Sequence, residues 1–176
     1  EQRGVMVVAG PRSRELLATL TDAPLDNASF PWRSAQEIEL AGVKTLALRI
    51  NYVGELGWEL HPKMADLETL YAAVWAAGEA HGIANFGLYA LNSLRMEKAY
   101  RGWGAELTNE VTMLEADMAR FFNGKKDDFV GKSATETRDT GPLRLVYFSV
   151  DAVDADVRGG EPIFVGDDCV GVTTSG

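Results

Sequence analysis

The sequence predicts an α+β fold, in which antiparallel β-sheet and packed helices form separate stretches of the chain. Three patterns lead to this prediction. A hairpin pattern spans residues 37–52, amphipathic helical spacing covers residues 66–98, and strand-like segments return after residue 141.

The N-terminal part is predicted to form β-strands around one helix. Residues 5–9 are predicted to be a short buried strand, and Ser13 to cap a helix that carries leucines at helical spacing. Residues 37–40 and 44–52 are predicted to pair as a hairpin. Residues 58–60 are expected to return antiparallel to it, after a turn whose glycines supply a positive φ.

Two amphipathic helices are predicted next. Residues 66–81 place apolar side chains at i, i+3 and i+4, and Gly82 follows where a helix end favours a left-handed residue. Residues 87–98 place leucines and Arg95 on one face of a second helix.

The second half of the chain is predicted to hold short elements and then β-structure. We expect a short helix at 112–120, a short strand at 121–122, a helix start within 129–135, a linker at 138–142, and strands at 143–150, 162–165 and 169–172. We therefore predict two domains. The first spans residues 1–140 and lacks an N-terminal part, and the second spans residues 141–176. Because an isolated two-stranded hairpin is marginally stable, the second is expected to be the truncated beginning of a C-terminal β-barrel.

Composition excludes several classes of function. The chain has 176 residues, 46% of them hydrophobic, and a net charge of −9, so it should repel nucleic acid. No apolar run reaches the roughly 20 residues of a membrane helix. The single Cys169 with His61 and His81 provides neither a disulfide nor a metal cluster, and a cytoplasmic location is expected. Neither histidine carries a functional signal in the sequence.

The most informative motif is Asn-Tyr-Val-Gly-Glu-Leu-Gly-Trp-Glu at residues 51–59, where a strand runs into a glycine turn and leaves it carrying a carboxylate. Two further motifs are Ser-Leu-Arg-Met-Glu-Lys at 93–98 and Lys-Asp-Asp-Phe-Val-Gly-Lys at 126–132. Together they resemble the tetrahydrofolate-binding T-protein (aminomethyltransferase) family, especially the folate domain of dimethylglycine and sarcosine dehydrogenases. Asn51 and Val53 depart from the family's Gly-Tyr-Thr-Gly-Glu-x-Gly-x-Glu.

The resemblance implies a T-protein fold and a function. The family transfers a one-carbon aminomethyl unit to tetrahydrofolate, giving 5,10-methylenetetrahydrofolate. The donor is carried on a lipoyl carrier protein or released by an FAD-dependent dehydrogenase domain, so FAD is expected only in a separate domain. The family's essential aspartate lies upstream of Glu1, and we expect a fragment without a catalytic residue of its own and without turnover.

The resemblance assigns pterin binding to Glu59. A pterin presents an amino group beside a ring N–H, and a carboxylate can accept both in parallel. Glu55, at the tip of the same turn, is the alternative acid. For both, a solvated hairpin acid is the competing interpretation. Tyr52 offers a ring that can stack on the cofactor, with core packing equally open.

Other candidate folate contacts follow the second predicted helix. Arg95 can serve the folate tail or pair with an internal acid such as Glu106. Tyr100, Arg101 and Trp103 are suited to line a groove for an aromatic ring and a carboxylate tail, or to form a packed loop.

T-proteins carry a ligand-binding arginine where this chain has Leu91. That difference favours the dehydrogenase branch over a plain T-protein. Two alternative functions stay open: a tetrahydrofolate-dependent demethylase of a sulfonium or other methylated osmolyte, and a non-catalytic folate-binding module.

Overall fold

The computed structural model describes residues 2–138 and 141–176. The chain divides into two compact units, Glu1–Lys98 and Ala99–Gly176. The domain boundary predicted between residues 140 and 141 is a different division. It adjoins residues 139 and 140, which lie outside the described residues, and it stays a prediction.

The first unit contains a four-stranded antiparallel sheet with the order β1-β4-β3-β2. Its strands are Met6–Ala9 (β1), Ala35–Leu40 (β2), Val43–Leu48 (β3) and Gly57–Pro62 (β4). The predicted hairpin is confirmed as β2 and β3, and β4 returns antiparallel to β3 as expected. The second strand of the hairpin ends at Leu48, earlier than predicted, and residues 49–56 form a loop.

One face of this sheet packs against helices α1 (Ser13–Ala18) and α2 (Leu67–Gly78) in a single hydrophobic cluster. Trp58 and Leu60 of β4 are fully buried in it, and Phe30 meets Trp58 edge-to-face at 6.2 Å between ring centroids. Because side chains alternate along a strand, Glu59 and His61 of β4 point to the opposite face of the sheet. The core therefore orients Glu59 away from the cluster.

The predictions for the N-terminal elements need two corrections. β1 is an edge strand of which Val8 is buried but Val7 is exposed, so it is buried on one face only. Ser13 is the first residue of α1 rather than its cap, and its hydroxyl donates to the Leu56 carbonyl at 3.0 Å. That bond connects the start of α1 to the loop that precedes β4.

The two predicted amphipathic helices are confirmed. α2 continues into a 3-10 turn at Glu79–His81, and Gly82 follows with a left-handed φ of 70°. A second helix, α3, spans Leu88–Glu97 and buries Arg95. The apolar spacing of both helices, with Gly82 as the end signal of the first, was sufficient to predict them because these signals are local.

The second unit has helix α4 (Lys132–Thr137) and a hairpin of β5 (Pro162–Val165) and β6 (Asp168–Val172). The helix predicted at 112–120 is wrong. Its start is a tight turn in which the Glu115 carboxylate accepts bonds from the backbone N–H and hydroxyl of Thr112, both at 2.7 Å.

Two strand predictions in this unit are also wrong. Phe121 ends a 3-10 helix, Ala119–Phe121, instead of starting a strand. Residues 143–150 are irregular: no strand among the described residues pairs with them, and the Leu145 N–H donates to the Glu115 carbonyl at 2.9 Å outside any sheet. The β-barrel that was expected to begin here stays a prediction.

Candidate functional site

The loop between β3 and β4 is organised by the side chain of Asn51. Its Oδ1 atom accepts the backbone N–H groups of Val53 at 3.0 Å and Glu55 at 3.3 Å, and its Nδ2 group donates to the Glu55 carbonyl. Sequence reasoning treated Asn51 only as a departure from the motif. Asparagine's tendency to bond the backbone two residues ahead was the signal that it missed.

The two glycines of this loop are required for different reasons. Gly54 has a φ of 74°, which a residue with a side chain rarely adopts. Gly57 has no positive φ, contrary to expectation. A Cβ atom on Gly57 would lie 2.7 Å from the Val8 carbonyl oxygen, so glycine is needed there because the β1 backbone approaches closely.

Glu59 lies on the outer face of β4, between two aliphatic neighbours. Its cross-strand partners are Val7 on β1 and Leu48 on β3, and directly paired residues share a face of the sheet. Its carboxylate Oε2 is 3.3 Å from the Nε2 atom of His61, and 28% of the Glu59 side chain is exposed. The result is a partly exposed acid with an apolar side chain on each side and a histidine next to it.

This arrangement suits a flat heterocycle with hydrogen-bond donors along one edge. Val7 and Leu48 offer contact to the apolar surface of a ring. A carboxylate has about four lone-pair sites, so it can accept two parallel N–H bonds while it keeps the contact with His61.

The other two candidates of this region lie in the same loop. Tyr52 is partly exposed, whereas its neighbour Val53 is buried and anchors the loop. The Glu55 side chain is exposed, and its backbone is held by Asn51. The loop therefore presents Tyr52 and Glu55 outward, close in sequence to the start of β4.

Arg95 is buried on α3, where its guanidinium bonds to the side chain one turn earlier. Its Nε and Nη2 atoms donate to the Asn92 Oδ1 atom at 3.0 and 2.8 Å. This amide oxygen accepts two of the five hydrogen bonds that the guanidinium can donate. The expected pairing of Arg95 with Glu106 and its role at a folate tail both stay predictions.

In the second unit, Arg101 holds a loop together. It donates to the carbonyl oxygens of Ala99, Ala116 and Asp117 at 2.8 to 3.0 Å, and it bonds the Asp117 carboxylate at 2.5 Å. Its guanidinium also lies 5.6 Å from the Tyr147 ring centroid. These bonds give Arg101 a structural role, and its predicted contact with folate is untested.

Tyr100 and Trp103 accompany Arg101 in this loop, with Trp103 89% exposed. The buried Glu106 carboxylate accepts the Gly102 N–H at 2.6 Å and the Thr174 hydroxyl at 2.7 Å. Glu106 thus fixes the backbone beside the exposed tryptophan. Whether Tyr100 and Trp103 line a folate groove stays a prediction.

The predicted site residues fall into two groups. Tyr52, Glu55, Glu59 and Arg95 belong to the first unit, and Tyr100, Arg101 and Trp103 to the second.

Across residues 2–138 and 141–176, no group of three or more His, Cys, Asp or Glu side chains is placed to hold a metal ion. Within the same ranges, no helix has both the length and the apolar character needed to cross a membrane.

The fold and this site define an α+β domain that presents an acid after a glycine turn on the outer face of an antiparallel sheet. Residues 1–126 match the family model described as the GCVT N-terminal domain. The chain therefore belongs to the GCVT N-terminal domain family, as the three motifs predicted.

Individual relatives agree with this assignment. Mitochondrial dimethylglycine dehydrogenase of Mus musculus is 41% identical over 179 residues, which covers 100% of this chain and 21% of the relative. Mitochondrial sarcosine dehydrogenase of Mus musculus is 41% identical over 145 residues, covering 82% of the chain and 16% of the relative. An aminomethyltransferase of Listeria monocytogenes serotype 4a (strain HCC23) is 33% identical over 175 residues, covering 98% of the chain and 47% of the relative.

The chain thus spans about a fifth of the dimethylglycine dehydrogenases and less than half of the aminomethyltransferase. The dehydrogenase relatives are named as mitochondrial proteins. The cytoplasmic location expected from cysteine usage has no support from these names and stays a prediction.

Proposed function

We propose that this chain is the tetrahydrofolate-binding part of an enzyme that transfers a one-carbon unit to form 5,10-methylenetetrahydrofolate. The observation that carries the proposal is the position of Glu59, a partly exposed carboxylate between Val7 and Leu48 on the outer face of β4. Membership in the GCVT N-terminal domain family and relatives named aminomethyltransferase support a transferase of this kind.

Glu59 binds the pterin edge in this proposal. Its two carboxylate oxygens accept the exocyclic amino group and the adjacent ring N–H, a bidentate contact that fixes the ring plane. Tyr52 supplies a stacking surface from the neighbouring loop, and Glu55 is the second acid near the rim. For the folate tail we propose Arg95 of the first unit, and the folate contacts expected of Tyr100, Arg101 and Trp103 in the second unit stay separate predictions.

Catalysis then depends on positioning. Tetrahydrofolate supplies the nucleophilic nitrogens, N5 and N10, when it is bound. The role of Glu59 and its neighbours is to hold the ring in one orientation, which converts an encounter with the one-carbon electrophile into an oriented reaction. We propose that residues 1–176 contribute folate binding to this reaction.

For the one-carbon donor we favour an iminium delivered by an FAD-dependent amine dehydrogenase domain of the same protein. Relatives named dimethylglycine and sarcosine dehydrogenase support this choice. Leu91 at the position of the T-protein ligand arginine points the same way. A lipoyl carrier protein is the corresponding donor partner if the intact protein acts as a plain aminomethyltransferase.

The test is a calorimetric titration with 5-formyltetrahydrofolate, a stable cofactor analogue, on the chain and on a longer natural protein that contains it. Glu59→Ala is expected to abolish saturable binding. Glu37→Ala is the matched control, because Glu37 pairs with Leu46 and so lies on the same sheet face as Glu59. Retained binding by Glu59→Ala, or no binding by either unaltered protein, would contradict the proposal.

A further inference from the structure

Glu59 has one polar neighbour on its own strand. His61 lies two residues further along β4, on the same face, and its Nε2 atom is 3.3 Å from the Glu59 Oε2 atom. The His61 side chain is 21% exposed and the Glu59 side chain 28% exposed. The pair is therefore shielded from water over most of its surface without belonging to the hydrophobic core.

We propose that His61 is a positioning residue that holds the Glu59 carboxylate ready for its ligand. This inference rests on the proposed function, since it assumes that Glu59 contacts the bound ring. An ionised carboxylate can only accept hydrogen bonds, so the His61 ring donates from Nε2. That bond restrains the rotation of an otherwise flexible glutamate side chain.

The contact between His61 and Glu59 requires specific side-chain orientations. Alternate residues of a strand are about 6.5 to 7 Å apart at Cα, so the two side chains must lean toward each other to come within 3.3 Å. The His61 backbone is itself fixed, because its carbonyl accepts a bond from Arg3 Nη1 at 2.8 Å and its register partner is Leu46. A rigid ring on a fixed backbone is a suitable anchor for a carboxylate.

The contact does not compete with the ligand. His61 occupies one lone-pair site of Oε2, and a carboxylate has about four such sites. Two parallel bonds to a ring edge are therefore still possible. Ordering a glutamate side chain before the ligand arrives removes part of the entropic cost that binding otherwise carries.

Three substitutions separate donor function from ring shape. His61→Leu removes the donor and is expected to weaken 5-formyltetrahydrofolate binding about three- to tenfold, the size expected for one hydrogen bond. His61→Gln places an amide N–H near the position of Nε2 and should recover most of the affinity. His61→Asn has a shorter side chain, whose amide lies nearer Nδ1, and should not recover it.

His81→Leu is the control, because His81 also lies beside a glutamate, with its Nδ1 atom 3.8 Å from a Glu15 carboxylate oxygen, but is not on β4. The affinity of the His81→Leu variant for 5-formyltetrahydrofolate should equal that of the unaltered protein. Thermal unfolding of every variant checks that the domain is folded. Should His61→Leu misfold, the comparison of His61→Gln with His61→Asn decides the question.

Two results would overturn the inference: unchanged affinity of His61→Leu, or equal loss in His61→Gln and His61→Asn. Either result, together with loss of binding in Glu59→Ala, leaves the folate proposal intact and rejects only the role of His61. Normal binding by Glu59→Ala rejects the folate proposal itself, and the role of His61 with it.

Discussion

The side chain of Lys98 fills the space next to Gly54. A Cβ atom on Gly54 would lie only 2.2 Å from Lys98 Cγ. Lys98 is the C-terminal cap residue of α3, and Gly54 belongs to the loop between β3 and β4. The contact therefore holds the end of the helix that carries Arg95 against the loop that leads to Glu59.

Gly54→Ala should destabilise the first unit for two reasons. The left-handed φ costs about 1–2 kcal/mol for a residue with a Cβ atom, and the collision with Lys98 adds about 1–3 kcal/mol. Lys98→Ala in the same chain should recover only the second part, since it leaves φ unchanged. Urea unfolding of both single variants and the double variant measures the two contributions. Full additivity of the two substitutions would show that the contact has no energetic effect.

Asn51→Ala should lower both loop order and ligand affinity. It removes the acceptor for two backbone N–H groups and the donor to the Glu55 carbonyl. Each lost bond contributes about 0.5–1.5 kcal/mol. Asn51→Asp is the informative comparison, because it keeps the acceptor and loses the donor, and it should be intermediate. Hydrogen exchange at the Val53 and Glu55 amides reports the order of the loop. Unchanged exchange in Asn51→Ala would contradict its organising role.

Stability should decrease in acid because of two carboxylates. Bonds from the Ser29 side chain, then from backbone N–H groups of Ser29 and Ala28, lower the pKa of Asp26 from 3.8 to about 2. A bond from the Thr173 hydroxyl, then from backbone N–H groups, lowers the pKa of Glu161 from 4.5 to about 2.

Both folded-state pKa values lie below the unfolded ones, so the stabilisation is present above about pH 4.5 and lost as the pH falls toward 2. Asp26→Asn and Glu161→Gln should each flatten the dependence of the urea midpoint on pH in this window. An unchanged slope in both variants would contradict the assignment.

Asn27→Asp is expected to stabilise the first unit. The Asn27 Oδ1 atom accepts bonds from Arg14 and Arg49, both at 2.7 Å. Burial, followed by the charge of Arg14, lowers the pKa of Arg49. A carboxylate between the two guanidinium groups should offset their repulsion and add about 0.5–1 kcal/mol.

Asn27→Ala, which removes the shared acceptor, should destabilise the same region. Unfolding at low and high salt checks the electrostatic origin, because the gain of Asn27→Asp should shrink as salt rises. A gain that does not change with salt would point to a different cause.

Local patterns were enough to predict much of the first unit. The alternation in β2, β3 and β4 and the helical spacing of α2 and α3 are properties of neighbouring residues, and so is the left-handed glycine after α2. The three motifs also led to the correct family. The elements that failed lie in the second unit, where residues 143–150 pair with no strand among the described residues.

The candidate site shows the same division. The sequence alone predicted the glycine turn, because turn residues are visible in the chain, and the family resemblance pointed to Glu59, whose role stays a prediction. It did not reveal that the β1 backbone approaches Gly57 closely. Nor did it reveal that Glu59 lies between Val7 and Leu48, with the His61 Nε2 atom 3.3 Å from its carboxylate. Those relations depend on strand order and register, which bring together residues about 50 positions apart and are set by the packing of the whole sheet.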